Sequence, residues 1–312
     1  MSRFWHRTRK RIKNWLIYLL VKNGIKGILN VQRDTAIAFL KNLSHLGFYI
    51  VPGERKKTIN HLTQVYRNSK TPKEIHCMAK AVFLNLGRNM ADAFGLARFN
   101  NQNIDRYIEV RGKENLDAAL KKGKGVIVLS GHIGNWELMA SYFAMKGYPV
   151  NVVGAPIYDP RLDELVVKNR EGSGLKYIER GSATREIIKA MIRNEIIGLL
   201  IDQDTKHVDG VFVDFLGTKA YTPVGPVLLA IKTGAAIVPM AIHIRKNDTH
   251  LIEFENEIVL EPFEDQEQNR IHNTQLCSNA VEKFIRKYPT QWVWMHERWK
   301  TRPGDLPHRP AR

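Results

Sequence analysis

Three histidines in this chain are followed five residues later by a carboxylate: His132 by Glu137, His243 by Asp248 and His250 by Glu255. A carboxylate bound to one ring nitrogen fixes the tautomer of an imidazole and stabilises its charged form. The other nitrogen is then free to take a proton from a hydroxyl, so the chemistry on offer is general-base catalysis. The spacing alone means little, because 11 His and 31 acidic residues in 312 give roughly one or two such pairs by chance. Local context separates them. On a strand, positions five apart point to opposite faces, which sets His250 against Glu255. Arg245-Lys246-Asn247-Asp248 has the composition of a turn, so His243 reads as a strand residue and Asp248 as a solvated turn. His132 differs: it follows the apolar run Val126–Leu129 and the dipeptide Ser130-Gly131, and it precedes a helix expected to begin near Asn135. On one continuous helix the His132 and Glu137 side chains would lie about 140° apart. Gly131 and Gly134 interrupt that geometry and let the imidazole fold towards Glu137. A histidine that merely caps the helix fits the same residues. Ser130 is close by, but Val128-Leu129-Ser130-Gly131-His132 is not a G-x-S-x-G elbow, which argues against a covalent serine route.

The elements that must position His132 follow from periodicity. Residues from about 10 to 95 read as helical, with helices expected over Gln32–Leu46 and Lys73–Phe94, the second opened by Thr71-Pro72 as N-cap and first helical residue. Beyond about 100, β-rich runs at 126–129, 150–153, 196–201, 210–215, 236–244 and 251–254 alternate with helical stretches. Nearly unbroken apolar strands between helices predict an α/β fold: a mostly parallel or mixed central sheet flanked by helices on both faces. The expected organisation is a basic apolar membrane-anchoring segment over 1–33, a helical arm over 34–100 packed on the catalytic domain, and an α/β domain over 101–312. His132 then sits at the carboxyl end of a strand beside a helix start, where open α/β sheets place their chemistry. Asp202, which ends the run 196–201, faces the same edge if the two strands are parallel.

The net charge of +17 and a pI near 9.8 call for an anionic partner: nucleic acid, an acidic carrier protein or an anionic lipid surface. No RNA-recognition motif, zinc finger or P-loop supports nucleic acid. The charge is concentrated at the start, where Arg3, Arg7, Arg9, Lys10, Arg11, Lys13, Lys22, Lys26 and Arg33 all precede the first acidic residue, Asp34. Among them lies Trp15-Leu16-Ile17-Tyr18-Leu19-Leu20-Val21, much shorter than the ~20 residues of a membrane span. No small-residue cleavage site follows it, against a signal peptide. A basic segment lying in the membrane interface fits best; an ordinary packed helix and a tilted span are the alternatives. Cys77 and Cys277 lack any CxxC or zinc spacing and read as two buried free thiols in a reducing compartment, with a disulfide between them as the alternative and no metal site.

Ser130-Gly131-His132-Ile133-Gly134-Asn135-Trp136-Glu137 closely resembles the His-x4-Asp/Glu motif of glycerolipid acyltransferases, most of all the branch that adds secondary acyl chains to lipid A. Further blocks resemble that family in the same order. They are Asp202-Gln203-Asp204, Gly210 to Gly217, Thr222-Pro223, Val238-Pro239 and the closing segment Gln291 to Pro303. The resemblance implies transfer of a fatty acyl group from a thioester to a lipid hydroxyl without a bound cofactor. It implies His132 as base with Glu137 orienting it, an oxyanion held by amides at the helix start, and Arg170 on an anionic group of the acceptor. Asp202, by its strand-end place, is expected to bind a substrate hydroxyl or to hold Arg170; Gln203 and Asn135 are further substrate-binding candidates. Trp292, Trp294 and Trp299 read as core or interface aromatics. The implied partners are acyl carrier protein as donor, an anionic glycolipid such as a lipid A precursor as acceptor, and the cytoplasmic face of the inner membrane. The alternatives are another glycolipid or lysophospholipid acceptor, or acyl-CoA as donor.

Overall fold

The computed structural model describes residues 2–180, 183–205 and 208–305. Of residues 2–12 only the backbone is described, so the basic side chains Arg3 to Arg11 of the expected anchoring segment lie outside the described residues.

Four helices open the chain: α1 (Ser2–Leu29), α2 (Arg33–Ile50), α3 (Pro52–Tyr66) and α4 (Pro72–Phe94). The start of α4 is fixed by a capping box. Thr71 Oγ1 accepts from the Glu74 amide, Glu74 accepts from the Thr71 amide at 2.7 Å, and Pro72 occupies a position where no amide proton is needed. Ile75, Ala79, Val82 and Phe83 then recur at helical spacing and are buried. Where α2 crosses α4, a Cβ on Gly87 would stand 2.3 Å from the Leu40 carbonyl oxygen, so only glycine allows that approach. Among the described residues no helix is long and apolar enough to cross a membrane. Yet α1 and α2 expose Trp15, Leu16, Leu20, Phe39, Leu43, Leu46 and Ile50.

The strands β1 (Ile108–Arg111), β2 (Val126–Ser130), β3 (Val150–Gly154), β4 (Lys176–Glu179), β5 (Ile196–Leu200), β8 (Ala236–Ile244) and β9 (His250–Phe254) form one sheet in the order β1-β9-β8-β2-β5-β3-β4. Every neighbouring pair is parallel except β8–β9. The strands β6 (Gly210–Phe215) and β7 (Thr218–Pro223) form a separate antiparallel hairpin. The remaining helices are α5 (Lys113–Leu120), α6 (Trp136–Met145), α7 (Pro160–Glu171), α8 (Ala183–Ile192), α9 (Gly225–Thr233) and α10 (Gln266–Lys287). Every residue of β2 is buried, as expected for a central strand covered on both faces. Its alternate residues enter two separate cores. Ile127 and Leu129 pack with residues of α3, α4, α8, α9 and α10, whereas Val126 and Val128 pack with residues of α5 and α6. The α/β architecture read from periodicity is therefore present. The short edge strands β1 and β4 were not anticipated, since Ile-Glu-Val-Arg and Lys-Tyr-Ile-Glu are half polar and too short to stand out.

The helical arm is fastened to the sheet by a buried cluster. Arg33, opening α2, forks onto Asp92 of α4 at 2.8 and 2.6 Å, and His250 of β9 bonds the same carboxylate at 2.8 Å. Burial would raise the Asp92 carboxyl, but His250 and Arg33 outweigh it and hold the group below its ordinary range. This also disposes of two of the three spaced pairs: His250 is spent on Asp92 while Glu255 meets Lys283, and Asp248 meets Arg88 while His243 stacks on Tyr288. Both cysteines are free; Cys277 is buried as expected but Cys77, on the outer side of α4, is exposed.

Candidate active site

The register of two parallel strands builds the site. Ser130 of β2 lies opposite Leu200 of β5. Two residues further on, past the end of each strand, the same offset brings His132 beside Asp202. The Asp202 carboxylate accepts the His132 amide (2.7 Å), His132 Nδ1 (2.7 Å) and the Trp292 indole N–H (2.6 Å). It is fully buried. Burial alone would raise its pKa, but the charge and hydrogen bonds of His132 and the Trp292 N–H prevail and hold it well below the usual carboxylate range. In the neutral ring that donates Nδ1–H to this carboxylate, Nε2 is left to accept.

Glu137 does not perform that task. Gly134 has φ +59°, and a Cβ there would lie 2.1 Å from the Ile242 carbonyl oxygen. This tight turn, followed by the start of α6 at Trp136, directs Glu137 away from the imidazole and towards α7. There Arg170 grips it with Nε and Nη2 at 2.8 and 2.6 Å. The carboxylate expected to orient His132 is thus engaged with the arginine expected to meet substrate, and the carboxylate expected near substrate orients His132. Asp202 therefore neither holds Arg170 nor meets solvent. Asn135 also departs from expectation: it is 2% exposed, its Oδ1 caps α6 by accepting the Leu138 amide, and its Nδ2 donates to the Asn89 carbonyl. It is a helix cap with no donor turned to substrate.

Gln203 lies beside His132 at the cavity. Its amide nitrogen is 3.2 Å from His132 Nε2 and 3.1 Å from His296 Nδ1. His296 had no role assigned from sequence, although it stands in the Trp-rich closing segment. Its ring meets that of His132 edge to face, with centroids 4.9 Å apart. Burial, followed by the neighbouring His132, depresses its pKa to about 4. Trp292 is likewise more than a core aromatic, since its N–H completes the Asp202 shell. The closing segment is locked down by Arg298, which is fully buried, donates to the Tyr221 carbonyl and Thr222 Oγ1, and stacks over Phe215 at 4.5 Å.

His296 and His243 are both depressed to about 4, chiefly by burial. Below pH 6.5 the unfolded chain takes up protons at these histidines while the folded protein does not, so stability falls as pH drops from about 6.5 towards 4. Urea unfolding at pH 5 should give a stability lower than at pH 7 by on the order of 2 kcal/mol for each of the two histidines; equal midpoints would contradict the depressed values.

A cavity of about 580 Å³ opens at this edge of the sheet, with Ser130, His132, Trp136, Glu137, Arg170 and Gln203 on its polar side. Apolar side chains line the remainder, among them Val128, Val152, Met139 and Phe143. His132 therefore looks into a hydrophobic chamber large enough for an alkyl chain.

The sequence model of the bacterial lipid A biosynthesis acyltransferases matches residues 6–301. The chain belongs to this family. The phosphatidylinositol mannoside acyltransferase of Mycobacterium tuberculosis is 29% identical over 159 residues, 49% of this chain and 50% of that one, so the chain matches about half the length of that relative. The lipid A biosynthesis lauroyltransferase of Escherichia coli is 28% identical over 258 residues, 82% of each chain. Among solved structures, the 1-acyl-sn-glycerophosphate acyltransferase PlsC of Thermotoga maritima is similar at 15% identity with a TM-score of 0.38, covering 84% of this chain and 99% of that one. That likeness is too distant to decide anything. Within the lipid A acyltransferase family match lie every residue of the His132 cluster and the whole cavity.

Proposed function

We propose that the protein transfers a fatty acyl group from acyl carrier protein to a hydroxyl of a lipid A precursor, at the cytoplasmic face of the inner membrane. The observation that carries this reading is His132, with Nδ1 tied to buried Asp202 and Nε2 turned towards the apolar cavity. The acceptor hydroxyl displaces the Gln203 amide from Nε2 and gives its proton to that nitrogen. The oxygen attacks the thioester carbonyl, and the negative charge moves to the carbonyl oxygen. Amides in the first turn of α6, aided by the helix dipole, stabilise that oxyanion. The intermediate collapses, the carbon–sulfur bond breaks, and the proton on Nε2 passes to the departing thiolate. The ester and free thiol are released, and His132 is neutral again. Arg170 keeps Nη1 clear of Glu137 and offers it to an anionic group of the acceptor.

The acyl chain runs along the side of the sheet that faces α5 and α6. Gly198 lies on that side, opposite Val128 and Val152. A Cβ there would meet nothing closer than 3.6 Å, so a longer side chain would enter the cavity without disturbing the backbone. Gly198→Met should therefore shift the preferred donor to shorter chains while leaving the fold intact. Competition among thioesters of graded length measures this, and an unchanged preference would contradict the assignment.

The exposed apolar side chains of α1 and α2, together with the basic start of the chain, suit an anionic bilayer surface. An acidic carrier protein also suits the net charge, so activity with acyl carrier protein should fall steeply between 50 and about 300 mM salt; a flat response would exclude electrostatic recruitment. A second reading is favoured by the phosphatidylinositol mannoside acyltransferase relatives: the same chemistry on another glycolipid, or with acyl-CoA as donor. Mass spectrometry of lipid A from a deletion strain and its complemented partner separates the two. A missing secondary chain restored by complementation supports lipid A; identical lipid A in both sinks it.

A further inference from the structure

A base that faces a thioester can activate water as well as a lipid hydroxyl. Water in the acceptor's place would give a proton to His132 Nε2 while its oxygen attacked the carbonyl. The carbon–sulfur bond would then break, and the thiolate would take the proton from Nε2. The products would be a carboxylic acid and a thiol, with the donor lost to hydrolysis. Solvent reaches the cavity, because Ile157 and Leu228 both line it and are each 40% exposed.

The surroundings of Nε2 bear on this competition. Trp136 and His296 both meet the His132 ring edge to face, each with centroids 4.9 Å away. The polar neighbour of Nε2 is the Gln203 amide nitrogen at 3.2 Å, which also lies 3.1 Å from His296 Nδ1. With Nδ1–H given to Asp202, Nε2 can only accept, so the NH2 end of the carboxamide is the end that faces it. His296, depressed to about 4 chiefly by burial, is neutral and accepts the second N–H. The backbone of Gln203 is clamped on both sides. Asp202 before it takes three donors, and Asp204 after it accepts the Thr301 amide and hydroxyl at 2.6 and 2.8 Å. The side chain is not clamped: it borders the cavity, and Oε1 has no hydrogen bond among the described residues.

We propose that Gln203, held in place by His296, is a shutter over Nε2 that makes the protein select a lipid hydroxyl over water, granted the acyl-transfer reading of His132. Closed, the carboxamide occupies the nitrogen that a nucleophile has to reach. A water molecule that displaces it has no other contact to offset the broken bond. An acceptor lipid is bound through the rest of its surface, and that binding drives the amide aside into the cavity. Gln203 thereby sets the ratio of transfer to hydrolysis, and His296 is a positioning residue that acts through it.

The test measures thiol release from a lauroyl thioester of acyl carrier protein by the full chain, with no acceptor present. Gln203→Ala should release thiol about tenfold faster than the wild type, the worth of the two neutral hydrogen bonds removed. His296→Leu, which leaves the amide held only by Nε2, should release it about threefold faster. Adding His132→Ala to Gln203→Ala should return the rate to the wild-type level or below. With a lipid A precursor supplied, the ratio of ester to free acid should be about tenfold lower in Gln203→Ala than in the wild type. A merely structural lesion would lower hydrolysis and transfer together, and that result would overturn the proposal. So would hydrolysis no faster than wild type in both Gln203→Ala and His296→Leu. Fast release that persists in the double variant would instead overturn His132 as the base, and a wild-type protein that forms no ester would overturn the acyl-transfer reading beneath.

Discussion

Replacing His132 with alanine should lower acyl transfer about 10²–10⁴-fold, the range that a positioned general base contributes. The loss should fall on kcat rather than on KM for the donor, since the acyl lobe is built from other residues. Folding should survive, because His132 is partly exposed at the cavity and Asp202 keeps the Trp292 indole and the backbone amide of residue 132 as partners. Single-turnover assays with a thioester donor measure the effect directly. A variant retaining more than about a tenth of the wild-type rate would remove His132 from the role of base.

Asp202→Asn should be nearly as damaging, for a different reason. The carboxylate accepts three donors, and an amide offers one accepting oxygen and an NH2 group in its place. Turned so that its oxygen serves the Trp292 and backbone N–H groups, the amide donates to Nδ1 and forces the proton of the ring onto Nε2. That tautomer cannot accept a hydroxyl proton. A fall in kcat of about 10²–10⁴-fold is expected. Turned the other way, the amide leaves a buried donor facing another donor, at a cost of about 1–3 kcal/mol. The first orientation satisfies every buried donor and should prevail, so activity should be lost with donor KM little changed.

The fold was legible where the sequence is locally consistent. Thr71-Pro72 with Glu74 announces the start of α4, and the apolar runs at 126–129 and 236–244 announce buried strands. His132 was legible for the same reason, as a polar residue just beyond a buried strand. Its partner was not. Glu137 is five residues away in sequence, whereas Asp202 is 70 residues away and becomes a neighbour only through the β2–β5 register. Periodicity places Asp202 on the correct edge but cannot supply the order of strands. The Glu137–Arg170 pair likewise depends on how α6 and α7 lie against each other, which no local pattern encodes. Asn135 shows the opposite error. An Asn immediately before a helix is a cap by local chemistry alone, and that simple reading is the one the structure bears out. His296 had a usable signal, a lone histidine in an aromatic segment, but its contact with Gln203 is again a product of tertiary folding.

His132, the proposed base, is held by Asp202 rather than by Glu137. Measuring kcat and acceptor KM for Asp202→Asn and Glu137→Gln side by side, with one acyl carrier protein thioester and one lipid acceptor, tests it most directly. Asp202→Asn should lose kcat, whereas Glu137→Gln, which frees Arg170 from its carboxylate, should act mainly on KM for the acceptor. A Glu137→Gln enzyme with collapsed kcat beside an Asp202→Asn enzyme of near wild-type rate would contradict it.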